Sequence, residues 1–412
     1  GSLTLFAVTE DLEIISDDPT ILVGDFNSKE AGDVILSNSQ ITVTDIVNKA
    51  EADIINGYNE LSGTVFLSSI SDNLENVNDV QTNEGISLIN SLISVTDTVS
   101  LSDVEDLNSY TQELVTLNLV KDTFENLKAI DSIDSKLVTM ADAALQVTDE
   151  VDLSKINDLR STTTSNITLD LLADSKDNLS IIDDFKIEQG VNGPINGDVI
   201  LSNSDITVTD VVNREDADLI NTYNDVSGTV TLTSVTDLLE NVNALSSTAG
   251  ISIATSDLKV TDVTTLSDAQ DLDGYTTGKV TLDVVTDSFD NVQSIHGLTP
   301  TEENPDGVDL TAALITITDP VSLSQAETAN GFSDGLITLN SVIDSFDNLI
   351  AIDAIPSDEL TMADAAVQVT DEVNLEKTIK LGNLTNSVVV IDEIKEVKNN
   401  LGTINNFPQF DL

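Results

Sequence analysis

Residues 34–80 read VILSNSQITVTDIVNKAEADIINGYNELSGTVFLSSISDNLENVNDV, and residues 199–245 read VILSNSDITVTDVVNREDADLINTYNDVSGTVTLTSVTDLLENVNAL. They align without a gap at an offset of 165 residues. TMADAALQVTDEVDL at 139–153 returns as TMADAAVQVTDEVNL at 361–375, at an offset of 222. The chain therefore holds diverged internal copies, and a repeat of this kind decides the fold before any local propensity does.

A finer rhythm lies beneath. One segment, type B, reads apolar-x-apolar-Thr-Asp and starts at Ile41, Ile93, Leu145, Ile206, Leu258, Ile315 and Val367, in steps of 52, 52, 61, 52, 57 and 52 residues. A second, type A, reads like VTLxxVxDxFxNL and starts at Val65, Val115, Ile167, Val230, Val280, Ile337 and Val388. The two alternate. LTLFAVTEDLEII at 3–15 is a further type A segment, so the chain opens in mid-pattern. That predicts an excerpt from a longer array, or an array whose open end awaits a partner.

Each half-unit joins a period-2 strand signal to a helix signal. In ITVTD, Ile41 and Val43 point one way and Thr42 and Thr44 the other. Ser102-Asp103-Val104-Glu105 and Ser324-Gln325-Ala326-Glu327 read as capping boxes, and Asp122-Thr123-Phe124-Glu125 reads as the opening of a type A helix. A strand and a short helix in about 25 residues is one coil of an α/β solenoid. About 15 coils give one parallel β-sheet with helices along the other side, a rod or arc about 70 Å long. The alternative is a coil of about 52 residues with two sheets. The organisation reads as a single continuous solenoid over 1–412, with superunits at about 3–180 and 199–401. Insertion loops fall at 181–198 and 295–309, both with Pro and Gly, and a tail at 402–412.

Composition excludes most chemistry. The chain has 412 residues, 73 Asp plus Glu against 16 Lys plus Arg, and a net charge of −57. That opposes nucleic acid and anionic membranes, which need a positive surface. There is no Cys or Trp, and the one His, His296, falls in an insertion loop. Hydrophobic residues make up 40% while aromatics are 3%, so the core is aliphatic. No apolar run reaches the roughly 18 residues of a membrane span, so no membrane insertion is expected.

The candidate metal site is the Asp-x-x-Asp/Glu-Asn box of type A. It pairs Asp72 with Glu75, Asp122 with Glu125, Asp174 with Asp177, Asp237 with Glu240, Asp287 with Asp290, and Asp344 with Asp347, each followed by Asn. Oxygen ligands at this spacing suit calcium, which takes six to eight. Helix capping, with the Asn bonding to the neighbouring coil, explains the same residues and is the preferred reading. Calcium is the one cofactor the composition leaves open. A column of outward strand residues, Thr42, Phe66, Ser94 and Thr116 among them, resembles ice-binding arrays but is broken by Phe66, Gln146 and Lys259. Tyr58, Tyr110, Tyr223, Tyr275 and Phe332 recur at helix ends, and Phe124, Phe289 and Phe346 within type A helices, as packing residues do. No catalytic constellation stands out, and the chain reads as no enzyme.

The runs VTLxxVTDSFDNLxxI and ITITDPVSLSQAETA resemble the Thr/Asp-rich α/β repeats of very large bacterial surface proteins, S-layer-like or adhesin-type, of cyanobacteria and other aquatic bacteria. The resemblance covers residues 3 to about 400. It implies a secreted or cell-surface structural protein that serves as coat, filament or attachment arm, often with calcium. The partners it implies are the chain itself, end to end or laterally, or neighbouring repeats of a longer chain. The glycine-rich calcium nonapeptides that often accompany such proteins are missing from this sequence. The alternative is a protein- or glycan-binding adhesion module that uses the sheet face or the insertion loops.

Overall fold

The computed structural model describes residues 40–58, 63–185, 198–224, 227–298 and 307–396 in full, and the backbone of 3–4, 7–10, 34–35 and 410–411. Most of each insertion loop and of the tail lies outside the described residues. The chain forms two compact units, residues 1–206 with 223–228 and residues 207–222 with 229–412. Both are built from the same coil.

A type A coil is one eight-residue strand followed by a helix, as in Val115–Asp122 and Phe124–Asp131. A type B coil has one more strand than the sequence suggests. A two-residue strand such as Ile86–Ser87 comes first, then a turn, then an eight-residue strand such as Leu92–Val99, then the helix Leu101–Tyr110. All pairing within each unit is parallel. The helices provide the crossovers that parallel strands require. The single-sheet, 25-residue coil is the architecture found; the two-sheet coil of 52 residues is not.

The register has a fixed stagger. The first half of the type A strand Val65–Asp72 faces Ile86–Ser87, and its second half faces Leu92–Val95. Residues Ala7–Glu10 pair with Gln40–Val43, and Leu3–Thr4 with Val34–Ile35, in the same register. The strand part of the type A reading of 3–15 therefore holds, while residues 11–15 lie outside the described residues. At the other end the type A strand begins in register at Val389, not Val388: Val389 pairs with Val367 and is buried, while Val388 is exposed. Two adjacent valines made the sequence pattern ambiguous by one residue.

Among the described residues, six type B strands carry a bulge where they meet the next type A strand. Val43 faces Leu67, but the next pair is Ile46 with Ser69, so Thr44 and Asp45 span one extra residue. The same shift follows Val95, Val147, Val260, Ile317 and Val369. In every case it falls on the Thr-Asp of the repeat. A bulge re-aims a side chain and increases local twist, and here it turns the Asp away from simple strand alternation.

Packing is economical. Most eight-residue strands bury three aliphatics, such as Ile41, Val43 and Val47 in type B and Val65, Leu67 and Ile70 in type A; Thr264 takes the third place in its strand. Most helices bury two residues three apart, such as Val77 and Val80, Val104 and Leu107, or Ile156 and Leu159. Phe124, Phe289 and Phe346 add a third at the first helical position, consistent with the packing reading. Helices of seven to ten residues do not persist alone in water, so these exist because the sheet receives their two or three side chains. Deleting one fully buried Leu or Ile, such as Leu127, costs about 2–5 kcal/mol.

One turn needs glycine. Gly85 and Gly250, 165 residues apart, adopt φ of +101° and +85° between helix and short strand. An added Cβ at either would lie 2.7 Å from the Oδ1 of Asn56 or Asn221. Left-handed backbone costs an L-residue about 1–2 kcal/mol. Gly85→Ala is therefore expected to destabilise the chain by at least that amount, read as a lowered midpoint in urea unfolding.

Candidate functional site

The recurring polar groups converge on the helix N-termini, not on a cleft. The first helical turn leaves backbone N–H groups without intrahelical partners. The caps stand two residues earlier than the sequence suggests in type B and one residue later in type A. Ser100, not Ser102, caps Leu101–Tyr110 in a capping box with Asp103, and Ser322, not Ser324, forms the box with Gln325. In type A, Thr123, not Asp122, caps Phe124–Asp131 by accepting from the Asn126 N–H. The box spacing occurs twice in the same run of residues, and only the strand end decides which copy opens the helix.

Asp122 has a different task. Its Oδ2 accepts from the N–H of Leu101, the first helical residue of the preceding coil, at 2.8 Å. Its Oδ1 accepts from the N–H of Thr123 at 2.8 Å and from Asn126 Nδ2 at 2.7 Å. The repeats do the same: Asp72 on Lys49, Asp174 on Leu153, Asp237 on Arg214, Asp287 on Leu266 and Asp344 on Leu323. The Asn therefore serves its own coil, four residues after the Asp, and not the neighbouring one.

The Asp of the type B bulge completes the series. Asp97, Asp149, Asp262, Asp319 and Asp371 each accept from the first helical N–H of the preceding type A coil at 2.7 Å. Glu396 fills the place for Leu375 at 2.9 Å. Each coil thus caps the helix before it with an anion at the positive end of the helix dipole.

A second ladder runs at the other end of the strands. Thr111, Thr163, Thr276, Ser333 and Thr385 donate their hydroxyls to the carbonyls of Ser91, Ala143, Ser256, Ala313 and Ala365 in the preceding coil. Asn224 reaches Ser204 O with its amide. Buried Ser91, Ser204 and Ser256 in turn donate to Leu67, Leu169 and Leu232 O. The sequence reading passed over this set. Its signal was present: Thr or Ser stands four residues before the type A strand in five copies.

The paired carboxylates of the metal reading are not brought together as ligands. Glu75, Glu125, Glu240, Asp290 and Asp347 sit exposed at the second helical position, while Asp72, Asp122, Asp237, Asp287 and Asp344 are turned to N–H donors. Three donors crowd each of these carboxylates with positive dipole ends, an unfavourable place for a cation. Among the described residues no group of three or more His, Asp or Glu side chains gathers as a metal would require.

His296 is the last residue of the helix Phe289–His296, not part of a loop. Its ring stacks 4.7 Å from that of Phe332, and its Nδ1 is buried without a hydrogen-bond partner. Tyr223 and Phe332 are buried, and the Tyr110 hydroxyl donates to Asn78 Oδ1. Thr42 and Ser94 do not form one flat column with their copies, because the stagger divides the outer face into short oblique rows such as Thr286–Thr316–Thr338–Thr361. No described helix is long and apolar enough to cross a membrane. No family model matches this chain, and no curated protein matches it in sequence.

Burial alone would raise the carboxyl of Asp72, Asp122, Asp237, Asp287 and Asp344. The hydrogen bonds from helix amide, Asn and following amide outweigh it and lower each below the ordinary 3.8. For Asp309, burial is outweighed by the bond from Lys279 at 2.6 Å and by those from Thr311, which bring it to about 2. A carboxylate with a lowered folded pKa stabilises the fold above its unfolded value and loses that contribution as pH falls through the folded one. Stability should therefore fall below about pH 4, with Asp309 the last of these groups to protonate, near pH 2. Thermal melts across pH 7 to 2 read this directly. Asp122→Ala leaves the Leu101 amide orphaned and should cost about 1–3 kcal/mol at pH 7, with a shallower acid limb than the parent.

Proposed function

We propose that the chain is a structural repeat segment of a bacterial cell-surface protein, part of a coat, filament or adhesin arm. The observation that supports this reading is the coil-to-coil use of the recurrent polar groups. The Asp and Thr/Ser ladders are spent on fixing each coil to the one before it. A protein whose repeated residues serve register is suited to stiffness and reach. The acidic helix side suits an extracellular surface, where repulsion keeps neighbouring chains soluble and extended.

In this role the chain works by repetition. Exposed carboxylates such as Glu75, Glu125 and Glu240 stand at the same helical place in successive copies. They offer divalent cations a diffuse, low-affinity field. Calcium is then a modulator of contacts between molecules, not a bound cofactor.

The deciding experiment is immunogold labelling of intact, unpermeabilised cells of the source organism. Surface label is expected; label only after permeabilisation overturns the reading. Negative-stain microscopy of the purified chain in millimolar calcium and in EDTA tests the assembly. Filaments or sheets that disperse in EDTA are expected if calcium bridges the acidic sides, and identical fields in both conditions remove calcium from the account.

A further inference from the structure

Asp and Glu make up 73 of 412 residues, yet one broad face of the first unit carries no acidic side chain outside the bulge and strand-end Asp positions. It is the outer face of four consecutive long strands, Gln40–Val47, Val65–Asp72, Leu92–Val99 and Val115–Asp122. The only acidic residues in these strands are Asp45, Asp72, Asp97 and Asp122. The last three bind helix amides, and Asp45 holds the same bulge position as Asp97.

The outward positions carry Thr, Ser, Gln, Asn, a single Lys and aliphatics. Ile46 is 66% exposed and Leu92 48%. Ile46, Ser69 and Leu92 are partners along one oblique row, and Leu119 stands beside Thr98 in the next. Phe66 lies half-buried between Thr42 and Ser87. The comparable row of the second unit, Val263–Val284–Leu314, has Asp283 next to Val284 in the same strand, ion-paired to Lys259, and the row before it carries Asp257 opposite Ser234.

We propose that this neutral face docks a second copy of the chain, sheet against sheet. Two chains of net charge −57 repel wherever their acidic sides meet. On this face aliphatic burial is not opposed by facing carboxylates. Four strands of eight residues, at about 3.3 Å per residue and about 4.8 Å per strand, span roughly 500 Å². Two such faces bury about 1,000 Å², the lower bound for a specific but weak association. A twofold pairing sets the two sheets about 10 Å apart. This names the lateral partner within the structural role proposed above and rests on that reading for its biological meaning.

Sedimentation velocity of the full chain, from low to several hundred micromolar and at about 0.15 M and about 1 M salt, tests it. Dimer should grow with concentration and tighten with salt, because salt screens the repulsion and leaves the apolar contact. The double variant Ile46→Asp/Leu92→Asp, both at exposed positions, should keep its circular dichroism and melting point and lose at least tenfold in association. Val263→Asp should associate as the parent does. A monomer at every concentration overturns the proposal, as does association that weakens with salt, survives the double variant, or is lost equally with Val263→Asp. A monomer retained on a neutral polysaccharide column would assign the face to a glycan instead. Surface-labelled cells with a monomeric chain sink the dimer alone, and a dimer confined to the cytoplasm sinks the surface role alone.

Discussion

The hydrogen bond from the first helical N–H of one coil to the carboxylate of the next coil is the contact on which the rest of the structure depends. It joins three requirements that a short strand–helix coil cannot meet by itself. The helix is too brief to persist without capping and packing. Its first amide has no partner within the helix. Its position over the sheet must agree with that of its neighbours. Asp122 on Leu101 and Asp149 on Phe124 meet all three with one residue per coil. The cap is correct only when the neighbouring coil is in register.

The type B and type A versions of this contact reach the same geometry by different routes. In type A the Asp stands at the strand's end, and one carboxylate oxygen looks back while the other is held by its own coil's amide and Asn. In type B the bulge at Thr-Asp aims the side chain at the helix behind. Both consume charge. Part of the acidity that first suggests cation binding is therefore a set of internal anions at helix dipoles, and exposed acids such as Glu75 and Glu125 sit beside them on the helices. Over the four strands from Gln40 to Asp122 the outer face is left comparatively neutral, with hydroxyls and aliphatics in oblique rows.

The Thr/Ser ladder secures the opposite end of each strand. Side chains of Thr111, Thr276 and their copies satisfy carbonyls at the turn before the long type B strand, where the chain shifts from short strand to long. Strand alternation cannot pair those carbonyls, so they would be buried without partners. With a ladder at each end, the aliphatic columns between them need only modest side chains, and the near absence of large aromatics follows.

Periodicity in the sequence determined the coil, its length, the alternation of two coil types, the parallel sheet and the aliphatic core, because stacking copies allows few other ways to bury Ile41, Val43 and Val47 together. Only the tertiary structure decided what the polar residues do. The sequence showed Asp, Thr and Asn at fixed spacings, but capping, metal binding and inter-coil bonding use the same residue types at the same intervals. Which Ser opens a helix, which way Asp122 faces and why Thr111 recurs depend on the neighbouring coil. That coil is some 20 to 30 residues away along the chain and one strand away in space.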